Sequence, residues 1–280
     1  MPLSHFAPEG ALRLAAESRA RELEMEQRQE VLGAPIGVST LTEAAKKVAD
    51  LAASGCPAMV CVADVNSLMT AYGSAQHMEA FRSASIVTAD GMPIVWMLRA
   101  LGHSVAQRVS GTDLVHALCG SDDGRKLRHY FFGGAPSVPE KVAAALADAH
   151  GINVVGLESP PYREMSLGEV AEVRRRIRES GANIVWVGLG CPKQERWMLA
   201  NYQHLDAALV GIGAAFDFIA GAKKRAPKWM QRGGLEWLHR LCSEPKRLWR
   251  RYLVTALSFI PLAVGELVRA RLGFLAPTES

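Results

Sequence analysis

The sequence predicts an α/β fold built on a doubly wound, mostly parallel sheet, and three observations carry that reading. Short apolar runs of strand length alternate with helical periodicity between residues 31 and 222. Small residues and carboxylates follow directly after those runs. Positive charge is concentrated in a C-terminal segment of different composition. Together they give a Rossmann-like domain at 31–222, a polar leader helix within 1–30, and a basic, apolar helical appendage at 223–280.

Taken in order, residues 11–30 are rich in Ala, Leu, Glu and Arg and read as helix. Residues 36–38 read as a short strand, and Thr40 with Glu43 forms a capping box that opens a helix through residue 53. Residues 59–63 are a buried-type strand ending in Asp64-Val65-Asn66, followed by one helix over 67–83. The strand at 85–89 ends in Asp90-Gly91, with a helix at 93–101 behind it. Residues 129–132 form a strand ending in Gly133-Gly134, and Ser137 with Glu140 reads as a second capping box opening a helix to about residue 150. Further strands fall at 152–156, 184–188 and 208–212, with a charged helix at 167–180. Asp122-Asp123 read as loop beside Gly124.

Composition excludes several classes. At 49% hydrophobic and 21% charged, 280 residues are neither disordered nor fibrous and can bury a core without staples. Five scattered cysteines, with only Cys56 and Cys61 close together and no second Cys or His pair to complete a zinc site, predict reduced thiols in a cytosolic compartment. The N-terminal stretch lacks a signal pattern. There is no Walker loop, no Gly-x-Gly-x-x-Gly after the first strand and no His-rich cluster. Neither a metal nor a cofactor is expected.

Open parallel sheets bind ligands beyond the carboxyl ends of their strands, where small residues admit backbone N–H groups and helix N-termini favour phosphate. A nucleotide-handling site follows. Asp90, on a strand-end turn, suits a general base, although a turn or cap aspartate has the same spacing. In Gly190-Cys191-Pro192-Lys193-Gln194-Glu195, Lys193 suits a phosphate and Gln194 a sugar or base edge; a solvated helix start reads the same way. Asp217, in an apolar segment, needs a partner if buried, as a cap, an ion-pair member or a grip on ligand hydroxyls.

Residues 223–251 hold ten basic and two acidic residues in a chain of net charge +4, so the body is mildly acidic and the collar strongly basic. Arg240 lies within it, and Arg247, Arg250 and Arg251 share one helical face. Rigid guanidinium forks suit a diphosphate. Trp229, Trp237 and Trp249 interleave with the charge, and residues 252–265 carry none. That stretch is short for a span, so it predicts a segment lying in the headgroup plane of an anionic membrane.

These motifs together resemble the WecG/TagA/CpsF glycosyltransferases, glycosyltransferase family 26, over about residues 31–255. The resemblance rests on Asn66, Asp90-Gly91, the run from Arg108 to Leu114, Phe132-Gly133-Gly134, Gly188-Leu189-Gly190, the run from Pro192 to Glu195, Arg225-Ala226-Pro227, Glu236-Trp237, Arg240, Pro245 and Arg247. It implies an inverting, metal-independent transfer from a UDP-sugar to a polyprenyl-diphosphate-linked saccharide at the cytoplasmic membrane face. It also implies Asp90 as base, with Arg240, Arg247 and Arg250 closing over the diphosphate. Asn66, Arg108, Gly133, Gly134, Gly190, Lys193, Gln194 and Asp217 are the accompanying substrate-binding positions. Several members carry Thr where this chain has Asp64, which could compete as base. A Rossmann-type oxidoreductase would need a Tyr-Lys or His constellation, for which only His129 and Tyr130 are at hand. A non-enzymatic membrane or nucleic-acid binder would leave Asp90 and Gln194 without a role, and no nucleic-acid partner is expected.

Overall fold

An antiparallel hairpin of β1 (Arg28–Val31) and β2 (Ala34–Gly37) leads into the main sheet. The computed structural model describes residues 27–275. The leader helix therefore lies outside the described residues except at its end, where residues 28–30 are strand. Leu32 and Gly33 turn the hairpin in left-handed conformation, a geometry suited to tight two-residue hairpin turns.

Six parallel strands follow: β3 (Ala58–Ala63), β4 (Ile86–Ala89), β5 (Arg128–Gly133), β6 (Asn153–Glu158), β7 (Ile184–Gly188) and β8 (Ala208–Gly211). Their order is β4-β3-β8-β7-β5-β6. From β3 the chain steps outward to β4, then crosses back to build the other half, so β3 and β8 flank the switch point.

Helices α1 (Leu41–Ser54), α2 (Val65–Tyr72), α3 (Ala75–Ser83), α4 (Met92–Ala100), α5 (Gly111–Gly120), α6 (Asp122–Lys126), α7 (Val138–His150), α8 (Leu167–Glu179), α9 (Lys193–Asn201) and α10 (Ala215–Ile219) complete the domain. Strand side chains alternate between two cores. Met59, Cys61 and Ala63 join Phe81, Ile94, Ile177 and Met198 on one face. Val60 joins Val48, Leu118, Leu146 and Phe216 on the other. The doubly wound architecture is as the sequence predicts.

Local details differ in four places. The helix expected at 67–83 breaks at Gly73, and Ser74 caps α3 by accepting from His77 N. Thr40 and Glu43 do form a reciprocal capping box, whereas Ser137 sits in left-handed conformation with no side-chain cap. Asp122 and Asp123 open α6 instead of a loop. Helix α5, which the apolar-run reading passed over, is capped by Ser110.

The C-terminal segment is α11 (Lys228–Arg232), α12 (Glu236–Ser243) and α13 (Pro245–Leu275). Pro261 lies inside α13 without ending it. One side of α13 packs on the domain through buried Leu248, Phe259 and Ala263, and Glu266 accepts from Leu32 N at 2.8 Å. Phe259 and Ala263 belong to the same core as Met59 and Phe81. The appendage thus contributes side chains to the core.

Candidate active site

Asp90 stands immediately after β4, held by its N–H donating to Ala63 O at 2.7 Å. Gly91 follows at φ 132°, a conformation L side chains rarely adopt, so only glycine turns the chain here without strain. The segment after α4 returns alongside, with Val109 N donating to Ala89 O at 2.9 Å. Arg108 is thereby set beside Asp90, its Nε donating to Oδ1 at 3.2 Å.

The same guanidinium meets Glu236 of α12 at 2.7 Å. Arg225, just before α11, reaches Glu236 at 3.5 Å and grips Asp113 with two bonds of 2.6 and 2.7 Å. An alternating carboxylate–guanidinium chain therefore runs from Asp90 through Arg108, Glu236 and Arg225 to Asp113. It ties the appendage to the strand end. Burial works to raise Asp113, but hydrogen bonds from Arg225 and Ser110 bring it below the usual carboxylate range. Asp90 goes the other way. Burial pushes it up to about 6, against the pull of Arg108, and Asp64 and Glu236 add to the rise. Its side chain keeps 27% of its surface exposed, enough to meet a substrate hydroxyl.

Asp64 is the N-cap of α2, its Oδ1 accepting from Ser67 N at 2.7 Å. With one oxygen committed to the cap, it acts on Asp90 mainly as a neighbouring negative charge. Asn66 lies in the first turn of the same helix, its Nδ2 4.0 Å from Cys191 Sγ. Gly133 and Gly134 end β5; a Cβ on Gly133 would lie 2.5 Å from the Gly188 backbone, so close strand packing demands glycine there. Gly190 adjoins open space.

Gln194 is buried and does not form a solvated helix start. It is 4% exposed, its Oε1 accepting from Gly213 N at 2.9 Å and its Nε2 donating to Glu195 at 2.9 Å. It braces the loop after β7 against the end of β8. Lys193 is exposed and lies 5.0 Å from the Tyr162 ring centre. Asp217 pairs with Lys223 at 2.8 Å.

Arg240 lines a cavity of about 310 Å³ with Lys223, Lys224, His239, Phe218, Ser243 and Glu244. Arg247 is paired with Glu244 at 2.5 Å and is half exposed, while Arg250 lies over the Trp249 ring on the exposed side. Among the described residues neither is joined to Asp90. Arg251 turns inward instead: its Nε is buried and its charge acts on Cys191. Its position on the inward face of α13 was masked in the sequence by three arginines of equal apparent merit.

Two further side chains gather behind Cys191. Buried His77 lies with Nε2 4.0 Å from Cys191 Sγ, and buried Glu195 is pushed up to about 7 by burial. Cys191 and Glu195 lie four residues apart in the run after β7, whereas His77 comes from a distant position, so no local motif joins the three. His129 and Tyr130 are committed elsewhere: His129 accepts from Trp186 Nε1 and meets Gly124 O, and Tyr130 donates to Glu158.

The family model for the glycosyl transferase WecG/TagA/CpsF family matches residues 29–273, from the hairpin through α13. The chain belongs to the WecG/TagA/CpsF family. It is also similar to a Bacillus spizizenii protein named N-acetylglucosaminyldiphosphoundecaprenol N-acetyl-beta-D-mannosaminyltransferase. The two are 35% identical over 174 residues, covering 61% of this chain and 65% of that relative. The chain thus spans less than two thirds of the relative it matches. Family membership takes in both the strand-end aspartate and the docked appendage that carries Glu236.

Proposed function

We propose that this protein transfers a sugar, with inversion, from a UDP-sugar to a polyprenyl-diphosphate-linked saccharide at the cytoplasmic face of the plasma membrane. The observation that carries the reading is Asp90: a half-buried strand-end carboxylate, raised to about 6, beside a guanidinium shared with the appendage. A carboxylate of that basicity is a stronger proton acceptor than an ordinary aspartate and is still ionised at neutral pH.

Asp90 takes the proton of the acceptor hydroxyl as its oxygen bonds to the anomeric carbon. On the opposite face the bond to UDP breaks, and UDP leaves with the electron pair. Negative charge grows on the diphosphate, and fixed cations stabilise that state more than the ground state. Arg240, Lys223 and Lys224 line a basic cavity suited to it, and Arg251 supplies a further inward cation. Arg247 and Arg250 lie toward solvent, where they meet anionic headgroups or the acceptor diphosphate. Asn66, beside Cys191, and Gly133, Gly134 and Gly190 after their strands are the accompanying substrate-binding positions in this reading.

Membrane attachment is supported by the outer side of α13. Leu253, Leu257, Ile260, Val264, Val268 and Leu272 are exposed along it, next to Trp249. The helix is long and apolar enough to cross a bilayer. Its inner side is docked by Leu248, Phe259, Ala263 and Glu266, which favours lying along the surface.

The test is incubation with a panel of UDP-sugars and a short-chain polyprenyl-diphosphate N-acetylglucosamine acceptor, scored for UDP and product anomeric configuration. We expect acceptor-dependent UDP release with one sugar and no gain on adding Mg²⁺ or Mn²⁺. A product of retained configuration, or no acceptor dependence across the panel, overturns the reading.

A further inference from the structure

We propose that His77, Cys191 and Glu195 form a binding site for one zinc-class divalent cation, which ties the loop after β7 to α3. The three residues belong to α3, the β7–α9 loop and α9, and their donor atoms all lie within 4.8 Å of one another. In a tetrahedral zinc site, bond lengths of about 2.0–2.3 Å place ligand atoms roughly 3–4 Å apart, so a modest contraction closes the set. Imidazole and thiolate together favour zinc over the hard, oxygen-seeking magnesium.

The same residues carry poorly paired buried polar groups. Glu195 is 1% exposed; Gln194 occupies its Oε1, while its Oε2 is buried with no hydrogen-bond partner among the described residues. His77 is fully buried, its Nδ1 has no partner among the described residues, and its Nε2 meets only the distant sulfur of Cys191. Two buried groups left so poorly paired are costly, and a cation satisfies the carboxylate oxygen and, in place of the long contact to sulfur, the Nε2 that faces Cys191. Burial holds His77 below the usual histidine range and pushes the Cys191 thiol up, so the ion must displace a proton from sulfur as it binds.

The surrounding charge is mixed. The Asp64 carboxylate acts on all three groups, while Arg196 faces His77 and Arg251 faces Cys191. Cys191 is exposed, which provides the ion's route of entry, and three protein ligands leave a fourth position for water. Bound there, the ion fixes the loop carrying Gly190 and Gln194 and the Asn66 side chain beside it. The test reads metal binding alone, without turnover, so its outcome is separate from that of the sugar-transfer assay.

The full-length protein, stripped with chelator, is titrated with Co²⁺ and then Zn²⁺. We expect a thiolate-to-cobalt charge-transfer band with the visible bands of a tetrahedral site, displaced by one equivalent of Zn²⁺. Cys191→Ser removes the charge-transfer band, and Glu195→Gln weakens Co²⁺ binding by more than about 100-fold, as loss of a ligand exceeds the loss of a supporting group. Without any substitution, Zn²⁺ also slows alkylation of Cys191 but not of exposed Cys242. A charge-transfer band that is absent from the wild type or survives Cys191→Ser, unchanged affinity in Glu195→Gln, or equal alkylation of Cys191 with and without Zn²⁺ overturns the site.

Discussion

Asp90 differs from Asp113 by its partners more than by its chemistry. Two firm hydrogen bonds from Arg225 hold Asp113 low, whereas Asp90 shares a single 3.2 Å contact with an arginine already claimed by Glu236. The consequence is a pH dependence. Because the base must be unprotonated, kcat/KM rises with pH through about 6 and is flat above it; a profile flat down to the ordinary aspartate range would remove Asp90 from the role. Asp90→Asn lowers turnover about 10²–10⁴-fold and leaves UDP affinity nearly unchanged, as read by steady-state rates and calorimetry. Stability moves the other way. A carboxyl raised by folding is unpenalised below its unfolded value, and stability is lost as pH rises through about 6, so Asp90→Asn melts no lower than wild type at neutral pH. Strand-end position made Asp90 legible from the sequence. Gln194 was legible as a polar residue at a helix start but not as a buried one, because the pattern is the same facing in or out.

Elements were legible where local chemistry decided them. The Thr40–Glu43 box forms because both partners are available to each other, while Ser137 follows a turn that forces it to φ 69° and takes its hydroxyl out of capping geometry. The β1–β2 hairpin was missed because Arg28, Gln29 and Glu30 carry no apolar alternation; pairing and the brace from Glu266 hold it. Helix α12 could be placed in the appendage, but nothing in its spacing shows Glu236 reaching Arg108. That contact makes a prediction. In Glu236→Gln, Asp90 loses a repelling charge and regains Arg108, so the acid limb of the rate profile moves to lower pH. An unshifted limb would mean that α12 is docked without bearing on the base.

At the scale of the whole molecule, the appendage has two faces with different obligations. The inner face of α13 packs on α2 and α4, so removal of residues 222–280 uncovers their apolar sides and costs solubility as well as activity. The outer face is apolar with no protein partner among the described residues, and basic residues cluster at its start. Hydrophobic burial and counter-charge act together on an anionic bilayer. The sharper probe is therefore the outer face alone, in Leu257→Glu with Val264→Glu, at sites 66% and 53% exposed where the fold has little to lose. Each substitution forfeits roughly 1.5–3 kcal/mol of membrane burial, so affinity for anionic vesicles falls at least about 100-fold. What binding remains rests on charge and disappears at high salt, whereas wild-type binding weakens but persists. Turnover of a water-soluble acceptor is retained, since neither side chain approaches Asp90. Co-sedimentation with phosphatidylglycerol vesicles at two ionic strengths separates the contributions, and a double variant that pellets like wild type would leave the outer face of α13 without a membrane role.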